Sequence, residues 1–326
     1  MFHIQSLGGV QVRNTAGNVV RLRSKKHNAL LVYLAAAGRR VFTRDALARL
    51  LWDTPLDKAR HSLSQAIYDI RRNLPGTVAS SSSDAIRLES SGFRFDATEF
   101  EKAVKNGDLA TAVDLFRGPF ADNLTNAATD DFERWLEGER LRLSRLGELA
   151  LRRHVRQCDE NGKWGEMCVA ALRLVKLAAL DEEAHRALMR GLWLHGDAAS
   201  AIRHFEDVVR PLEAELPAGI SEETLLLVRR IRSTPAPEPW DDNLGELQTP
   251  FLGRESELET LRSAARDIRS QPVTAFFIAG EAGIGKTRLA REFVRSVALE
   301  DLQLLESRCY PAEADVPYGP VIDGLR

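Results

Sequence analysis

Three cysteines in 326 residues, Cys158, Cys168 and Cys309, are too few and too scattered for a disulfide framework or a zinc site. No C-x-x-C pair occurs, and neither does an H-E-x-x-H or G-x-S-x-G segment. Thiol redox, zinc-protease and serine-hydrolase chemistry therefore lack their motifs. The seven histidines, His3, His27, His61, His154, His185, His195 and His204, do not cluster in sequence. His185 and His195 fall in adjacent predicted helices, where a structural or surface role is expected rather than metal binding. No apolar run approaches the length of a membrane span, which needs about 20 residues. The N-terminus, MFHIQSLGGVQV, has no basic region followed by a long apolar stretch, so it does not read as a signal peptide. Buried or incidental thiols in a reducing cytoplasm are expected, with no membrane partner.

What is present is ordinary in bulk and uneven in distribution. Hydrophobic content of 44% and charged content of 28% suit a globular protein, and the length suggests two or three domains. The net charge of −2 conceals a basic head: residues 1–95 hold 15 Lys/Arg against 6 Asp/Glu, a net of +9, which leaves −11 for the remainder. A basic head on an acidic body fits a polyanionic partner or simply a solvated basic surface; charge by itself does not choose.

The most specific segment is Val273 to Glu292, VTAFFIAGEAGIGKTRLARE. Its Gly280, Glu281, Ala282, Gly283, Ile284, Gly285, Lys286 and Thr287 have the G-x-x-x-x-G-K-[ST] spacing of a phosphate-binding loop. The spacing predicts a strand over Thr274–Ile278 and a helix over Thr287–Val297, with Leu289, Phe293 and Val297 on one face. Glycines let the backbone curl its N–H groups around phosphate oxygens at the positive end of the helix. Lys286 reaches the β- and γ-phosphates and the Thr287 hydroxyl ligates Mg²⁺, so ATP with Mg²⁺ is the implied cofactor. Only 39 residues follow Thr287, and no apolar strand ending in Asp or Glu is evident after Glu306. Such a domain needs further strands, one bearing an acidic Mg²⁺ partner. The front edge of an ATPase, with weak or absent nucleotide binding and no turnover, is expected.

Earlier in the chain, FHIQSL and VQVR bracket Gly8-Gly9 and read as a small antiparallel sheet. From Ser24 the period becomes helical, with Leu30, Leu31, Leu34 and Ala35 on one face and Gly38 as a stop. Thr43 is a good N-cap for RDALARLLW. A third helix runs from about Asp57 to Leu74 and ends at Pro75-Gly76, and VASSSSDAIRLESSGFRF reads as a hairpin. On the third helix Leu63, Ile67, Ile70 and Leu74 fall on one face. Opposite them lie Lys58, His61, Gln65, Tyr68 and Arg72, with Ser64 and Arg71 on a flank. Cations, hydrogen-bonding side chains and one aromatic suit base edges and phosphates in a major groove. Residues 97–235 read as almost wholly helical, with a helix-turn-helix repeat of about 35 residues like tetratricopeptide units. Within it a long helix carries Trp135, Leu141, Leu143, Leu146 and Leu149. Trp135, Trp164 and Trp193 are expected in the core.

Residues 1–96 resemble the winged helix-turn-helix domain of OmpR-type regulators. In particular they resemble the Streptomyces antibiotic regulatory protein family, in the leading sheet, in KKHNALLVYLAAAGRRVFTRDALARLLW and in KARHSLSQAIYDIRRNL. That family usually has Arg-Asn where this chain has Arg60-His61, and several polar positions of the helix differ, so no operator sequence is carried over. The resemblance implies DNA contacts from the third helix, Arg60 included, and a wing hairpin that places Arg87 or Arg94 near the minor groove. FERWLEGERLRL, EEAHRALMRGLWLHGD and VVRPLEAEL resemble the bacterial transcriptional activation domain of the same family. STPAPEPWDDNLGELQTP reads as a linker. FLGRESELETLRSAAR resembles the entry to signal-transduction (STAND) ATPases, with Gly253, Arg254 and Glu255 near the adenine site.

The expected architecture is thus mostly α and multidomain. It comprises a winged helix over 1–96, a TPR-like all-α activation domain over 97–235, a linker over 236–250 and the incomplete start of a P-loop α/β domain over 251–326. The implied function is a cytoplasmic activator that binds double-stranded promoter DNA, with an ATP-binding switch; secondary-metabolite genes are the targets the resemblance suggests. The helical domain supports either homodimerisation on DNA or contact with RNA polymerase. The competing expectation is an ATP-driven signalling enzyme whose winged helix docks protein.

Overall fold

The computed structural model describes residues 1–82, 84–89, 92–214, 219–234, 253–267, 275–281, 283–300 and 302. The linker expected over 236–250 and the tail from 303 onward lie outside these residues. The chain divides into two compact units, Met1–His154 and Val155–Arg326.

The first unit opens with an antiparallel meander of β1 (Phe2–Gln5), β2 (Gln11–Arg13) and β3 (Val19–Val20). Gly8 and Gly9 turn the chain at φ of 96° and 129°, a region that glycine enters without a Cβ penalty. There follow α1 (Lys25–Ala36), β4 (Phe42–Thr43), α2 (Arg44–Leu51) and α3 (Leu56–Asn73). The hydroxyls of Ser24 and Thr43 cap α1 and α2, accepting from the amides of His27 and Ala46 at 3.3 Å each. The apolar faces of the three helices close a core of Leu30, Leu34, Leu47, Leu51, Leu63 and Ile70, all buried.

After α3, β5 (Val78–Ser82) and β6 (Ala85–Leu88) form a hairpin that β4 extends, in the order β4-β6-β5. The segment Phe93–Phe95, read from sequence as part of that hairpin, instead forms β7 in the other sheet. It runs parallel to β1 with Phe2 opposite Phe93 and Ile4 opposite Phe95. Alternation explains this: Phe93 and Phe95 are both buried and Arg94 points out, so the strand covers the core beneath β1.

Next come α4 (Asp96–Asn106), α5 (Leu109–Leu115) and the first part of α6 (Asp130–Glu160). Asp96 sends a buried carboxylate back to β1, accepting from the Ser6 amide at 2.8 Å, the Leu7 amide at 2.9 Å and the Ser6 hydroxyl at 2.6 Å. Burial pushes this carboxyl's pKa up, while the donated hydrogen bonds pull the other way. Along α6 the inward stripe is Phe132, Leu136, Leu143, Gly147, Ala150 and Leu151. Leu141 and Leu149 face away from this stripe and are 54% and 41% exposed. Trp135 lies at a seam, its ring 4.7 Å from Tyr33, 5.3 Å from Phe132 and 6.2 Å from Phe120.

In the second unit, α7 (Trp164–Leu177), α8 (Glu182–Leu194) and α9 (Ala198–His204) pack as successive helix pairs, followed by α10 (Glu222–Ser233). Trp164 and Trp193 are buried in the core, as expected from sequence. The helix after α9 widens into a π turn over Phe205–Val209 and tightens into 3₁₀ over Arg210–Ala214. Pro211 accounts for the break, since it lacks an N–H and crowds the preceding turn. His185 stacks on His204, not His195, with Nδ1 to Nε2 at 2.9 Å, and its Nε2 meets the Ala179 carbonyl at 2.8 Å. Burial, with His185 adding to it, pushes the His204 pKa down to about 4, so the His204 ring is neutral at pH 7.

The unit closes with α11 (Glu255–Asp267) and α12 (Lys286–Val297), joined by Leu258, Leu261, Leu289 and Phe293. The strand expected over Thr274–Ile278 is not formed: residues 275–280 have no regular structure, and Phe277 is 93% exposed. A parallel strand takes its hydrogen bonds from neighbours, and no described strand pairs with this segment. Among the described residues no helix is long and apolar enough to cross a membrane.

Candidate nucleic-acid interface and nucleotide loop

The third helix presents the face that its period predicts. Lys58, Arg60, His61, Ser64, Gln65, Tyr68, Arg71 and Arg72 are all exposed, while Ala59, Leu63, Ala66, Ile67 and Ile70 are buried. Tyr68 is the telling member, with 64% of an aromatic side chain left in solvent. Gln65 Nε2 and His61 Nε2 are 3.0 Å apart, so these two act as a pair one turn apart. Arg60 and Ser64 are engaged with α2. Arg60 forms a two-point ion pair with Asp45 at 2.5 and 2.7 Å, and Arg44 donates to the Ser64 hydroxyl at 2.7 Å. The Arg60 bond holds the Asp45 carboxyl below its ordinary range. These contacts fix the angle between α2 and α3.

A buried carboxylate fixes the other side of α3. Asp69 Oδ2 accepts from the Arg23 amide at 3.0 Å and meets His27 Nδ1 at 2.7 Å, while Oδ1 accepts from Asn73 Nδ2 at 3.0 Å. Burial is the largest influence on Asp69 and raises its pKa. The Arg23 amide and His27, with the Arg23 charge, outweigh it and leave the pKa lowered. Sequence reasoning missed Asp69, His27, Arg44 and Asp45. The available signal was a carboxylate set between Ile67 and Ile70, on the face the period marks as inward, which requires a partner.

The wing is the β5–β6 hairpin, and Arg87 lies on it, paired with Glu89 at 2.7 Å. Arg94 is not on this hairpin. It stands on β7, opposite His3 of β1, in an ion pair with Glu99. Of the two arginines expected near the minor groove, only Arg87 is placed on the wing.

The glycine loop is built as a helix start. Gly280, Gly283 and Gly285 have φ of 155°, 84° and 91°, and a Cβ at Gly280 would stand 3.1 Å from Ile284. Gly285 leads into α12 without a side-chain cap, so the first amides of α12 receive no side-chain oxygen from it. Lys286 donates to the carbonyls of Gly280 at 3.0 Å and Glu281 at 2.8 Å, drawing the loop around its ammonium. Arg254 donates to the Ile284 carbonyl at 2.6 Å, tying the start of α11 to the loop. Thr287 is exposed on the first turn of α12, and Ala282 lies outside the described residues. Uncapped amides, open space at Gly283 and Gly285, a lysine and an exposed hydroxyl fit a triphosphate with its Mg²⁺.

Three families match the chain in series. The transcriptional regulatory protein C-terminal family matches residues 17–95, the bacterial transcriptional activator domain residues 87–232 and the AAA ATPase domain residues 250–326. These define a multidomain transcription regulator: a winged helix, a helical activator domain and an ATPase domain. The chain carries these in the order of the larger Streptomyces antibiotic regulatory proteins, the family its sequence resembles. No curated protein sequence matches it. Among solved structures it is similar to Mycobacterium tuberculosis EmbR in complex with low affinity phosphopeptide. The two are 19% identical with a TM-score of 0.50, over 84% of this chain and 72% of that one, a likeness of fold.

Proposed function

We propose that the chain is a DNA-binding transcriptional activator in which α3 reads promoter DNA from the major groove. The observation that carries this is the exposed row of Lys58, His61, Gln65, Tyr68, Arg71 and Arg72 on a helix whose opposite face is buried and anchored by Asp69. Gln65 offers two-point hydrogen bonding to a base edge, and Lys58 and Arg72 offer charge to phosphates. Arg60 and Ser64 act by holding α3 against α2, and Arg87 supplies the wing contact. The helical domain recruits RNA polymerase, a homodimer on DNA is the assembly that a paired operator would require, and the setting is the cytoplasm. The family resemblance points to secondary-metabolite genes as targets.

The glycine loop belongs to a regulatory ATP-binding module. The amides at the start of α12 hold phosphate oxygens, Lys286 turns from the loop carbonyls to the β- and γ-phosphates, and the Thr287 hydroxyl is a ligand for Mg²⁺. When bound, Mg²⁺ would offset the negative charge of the phosphates.

Salt-dependent DNA binding tests the central claim, because phosphate contacts release counterions and weaken steeply with salt. Gln65→Ala is expected to lose about 1–3 kcal/mol of base discrimination. Arg72→Ala is expected to weaken all sequences alike and to lower the salt slope by about 1. Unchanged affinity in the double variant overturns the DNA reading and leaves the winged helix as a protein-docking module.

A further inference from the structure

Helix ends expose carbonyls that lack partners within the helix, and they carry the negative end of the helix dipole. In the second unit the ends of two helices are served by arginines from distant segments. Arg190 of α8 donates through Nη2 to the Ser296 carbonyl in the last turn of α12 at 2.8 Å, and through Nη1 to Glu300 at 3.1 Å. Arg230 of α10 donates to the Leu299 carbonyl, just beyond α12, at 2.8 Å. In the opposite sense Arg262 of α11 donates to the carbonyls of Glu160 at 2.7 Å and Asp159 at 3.1 Å, at the end of α6. The Asp159 carboxylate in turn lies 3.5 Å from Arg190 Nε.

We propose that Arg190, Arg230 and Arg262 form a reciprocal latch. The activator helices and the nucleotide-loop segment cap each other's helix ends, and the face made by α6, α8 and α10 is the docking surface for α11 and α12. Three observations support a built contact over a chance one. Arg262 is only 9% exposed, a costly place for a guanidinium unless its bonds are fixed. The capping runs in both directions between the same two segments. The join is also polar and incompletely filled: a cavity of about 540 Å³ remains, lined by Arg156, Arg190, Glu259, Arg262, Arg266 and Glu300. Polar, loosely packed joins between domains are the kind that open and close. Since α12 starts at the glycine loop, the latch holds the far end of the helix whose first turn faces the nucleotide. The latch does not depend on DNA binding, so its failure would be separate from failure of the DNA reading.

Hydrogen exchange on the full chain, read by mass spectrometry, tests it. The Arg190→Ala/Arg230→Ala variant is expected to exchange at least tenfold faster at amides 292–300 and 255–267, with α3 amides and DNA affinity unchanged. Arg262→Ala, which removes the cap from the other side, is expected to loosen the same two segments and the end of α6. It also decides the matter if the double variant fails to fold. Exchange in α11 and α12 that stays within twofold of wild type in Arg262→Ala, and in the double variant where that folds, overturns the latch.

Discussion

Replacing Asp69 tests how α3 is held. Asp69→Ala deletes the acceptor for the Arg23 amide, the His27 ring and Asn73, at 3.0, 2.7 and 3.0 Å. Each hydrogen bond to a charged group contributes about 1.5–3 kcal/mol, and removing one partner of a buried polar network costs about 3–5 kcal/mol. The Arg23 side chain is 72% exposed, so its ion pair adds little. A loss of about 3 kcal/mol is expected for Ala, and about 1.5 kcal/mol for Asn, which keeps one acceptor and the volume. The pH dependence has a definite sign. The Asp69 pKa is lowered on folding, so its contribution is complete above the unfolded carboxylate value of about 3.9 and fades as pH falls through the lower folded value. Wild type and Asp69→Asn should therefore converge only on the acid side of about pH 4. The assay is urea unfolding of residues 1–160, followed through Trp52 and Trp135 and extrapolated linearly to water. A loss below about 1 kcal/mol for Asp69→Ala, or convergence already complete at about pH 6, would refute the anchoring role.

Two further outcomes follow from local geometry. Gly147→Ala in α6 should destabilise residues 1–160 by about 1–3 kcal/mol through overpacking, although Gly→Ala in a helix ordinarily gains about 1 kcal/mol. A Cβ there would stand 2.4 Å from the Phe116 ring, so Phe116→Leu in the same chain should recover part of the loss; a stabilised Gly147→Ala in the urea assay contradicts this. Lys286→Ala should abolish whatever heat of binding ATP with Mg²⁺ gives in calorimetry, while Lys58→Ala leaves it intact. Equal binding by wild type and Lys286→Ala would remove the glycine loop from the nucleotide site.

Local rules carried the parts of the molecule that depend on near neighbours. The inward face of α3, the Thr43 cap and the glycine-led start of α12 all follow from spacings of a few residues. Long-range pairing was not legible. Nothing in SSGFRF distinguishes a hairpin arm from a strand lying parallel to β1, because alternation fixes a face and leaves the partner open. The same limit hid the pairing with β1 that takes Arg94 away from the wing, and the partners of Asp69, which are 46 and 42 residues distant. Leu141 and Leu149 each stand two residues from a buried position, Leu143 and Gly147, about 200° round the helix, and so point away from the inward stripe. The segment before the glycine loop has the composition of a strand, yet composition cannot supply the neighbours that make one.

The packed body that holds α3 continues past β7. Tyr33 of α1 packs its ring 4.7 Å from Trp135 of α6, and the Thr129 hydroxyl donates to the Leu50 carbonyl at the end of α2 at 2.5 Å. Asn123 accepts from the Val10 amide at 2.7 Å, Leu7 bridges to Phe120, and Asp96 holds the turn after β1. The compact unit accordingly runs from Met1 to His154. Cutting after residue 96 would bare Tyr33 and remove the Thr129 donor from the Leu50 carbonyl. A force on α4–α6 is therefore felt at α1 and α2, which set the angle of α3 through Asp69, Arg44 and Asp45. The chain passes from Phe95 of β7 into α4 at Asp96 without a break, so α4, α5 and the first part of α6 belong to the same packed body that holds α3.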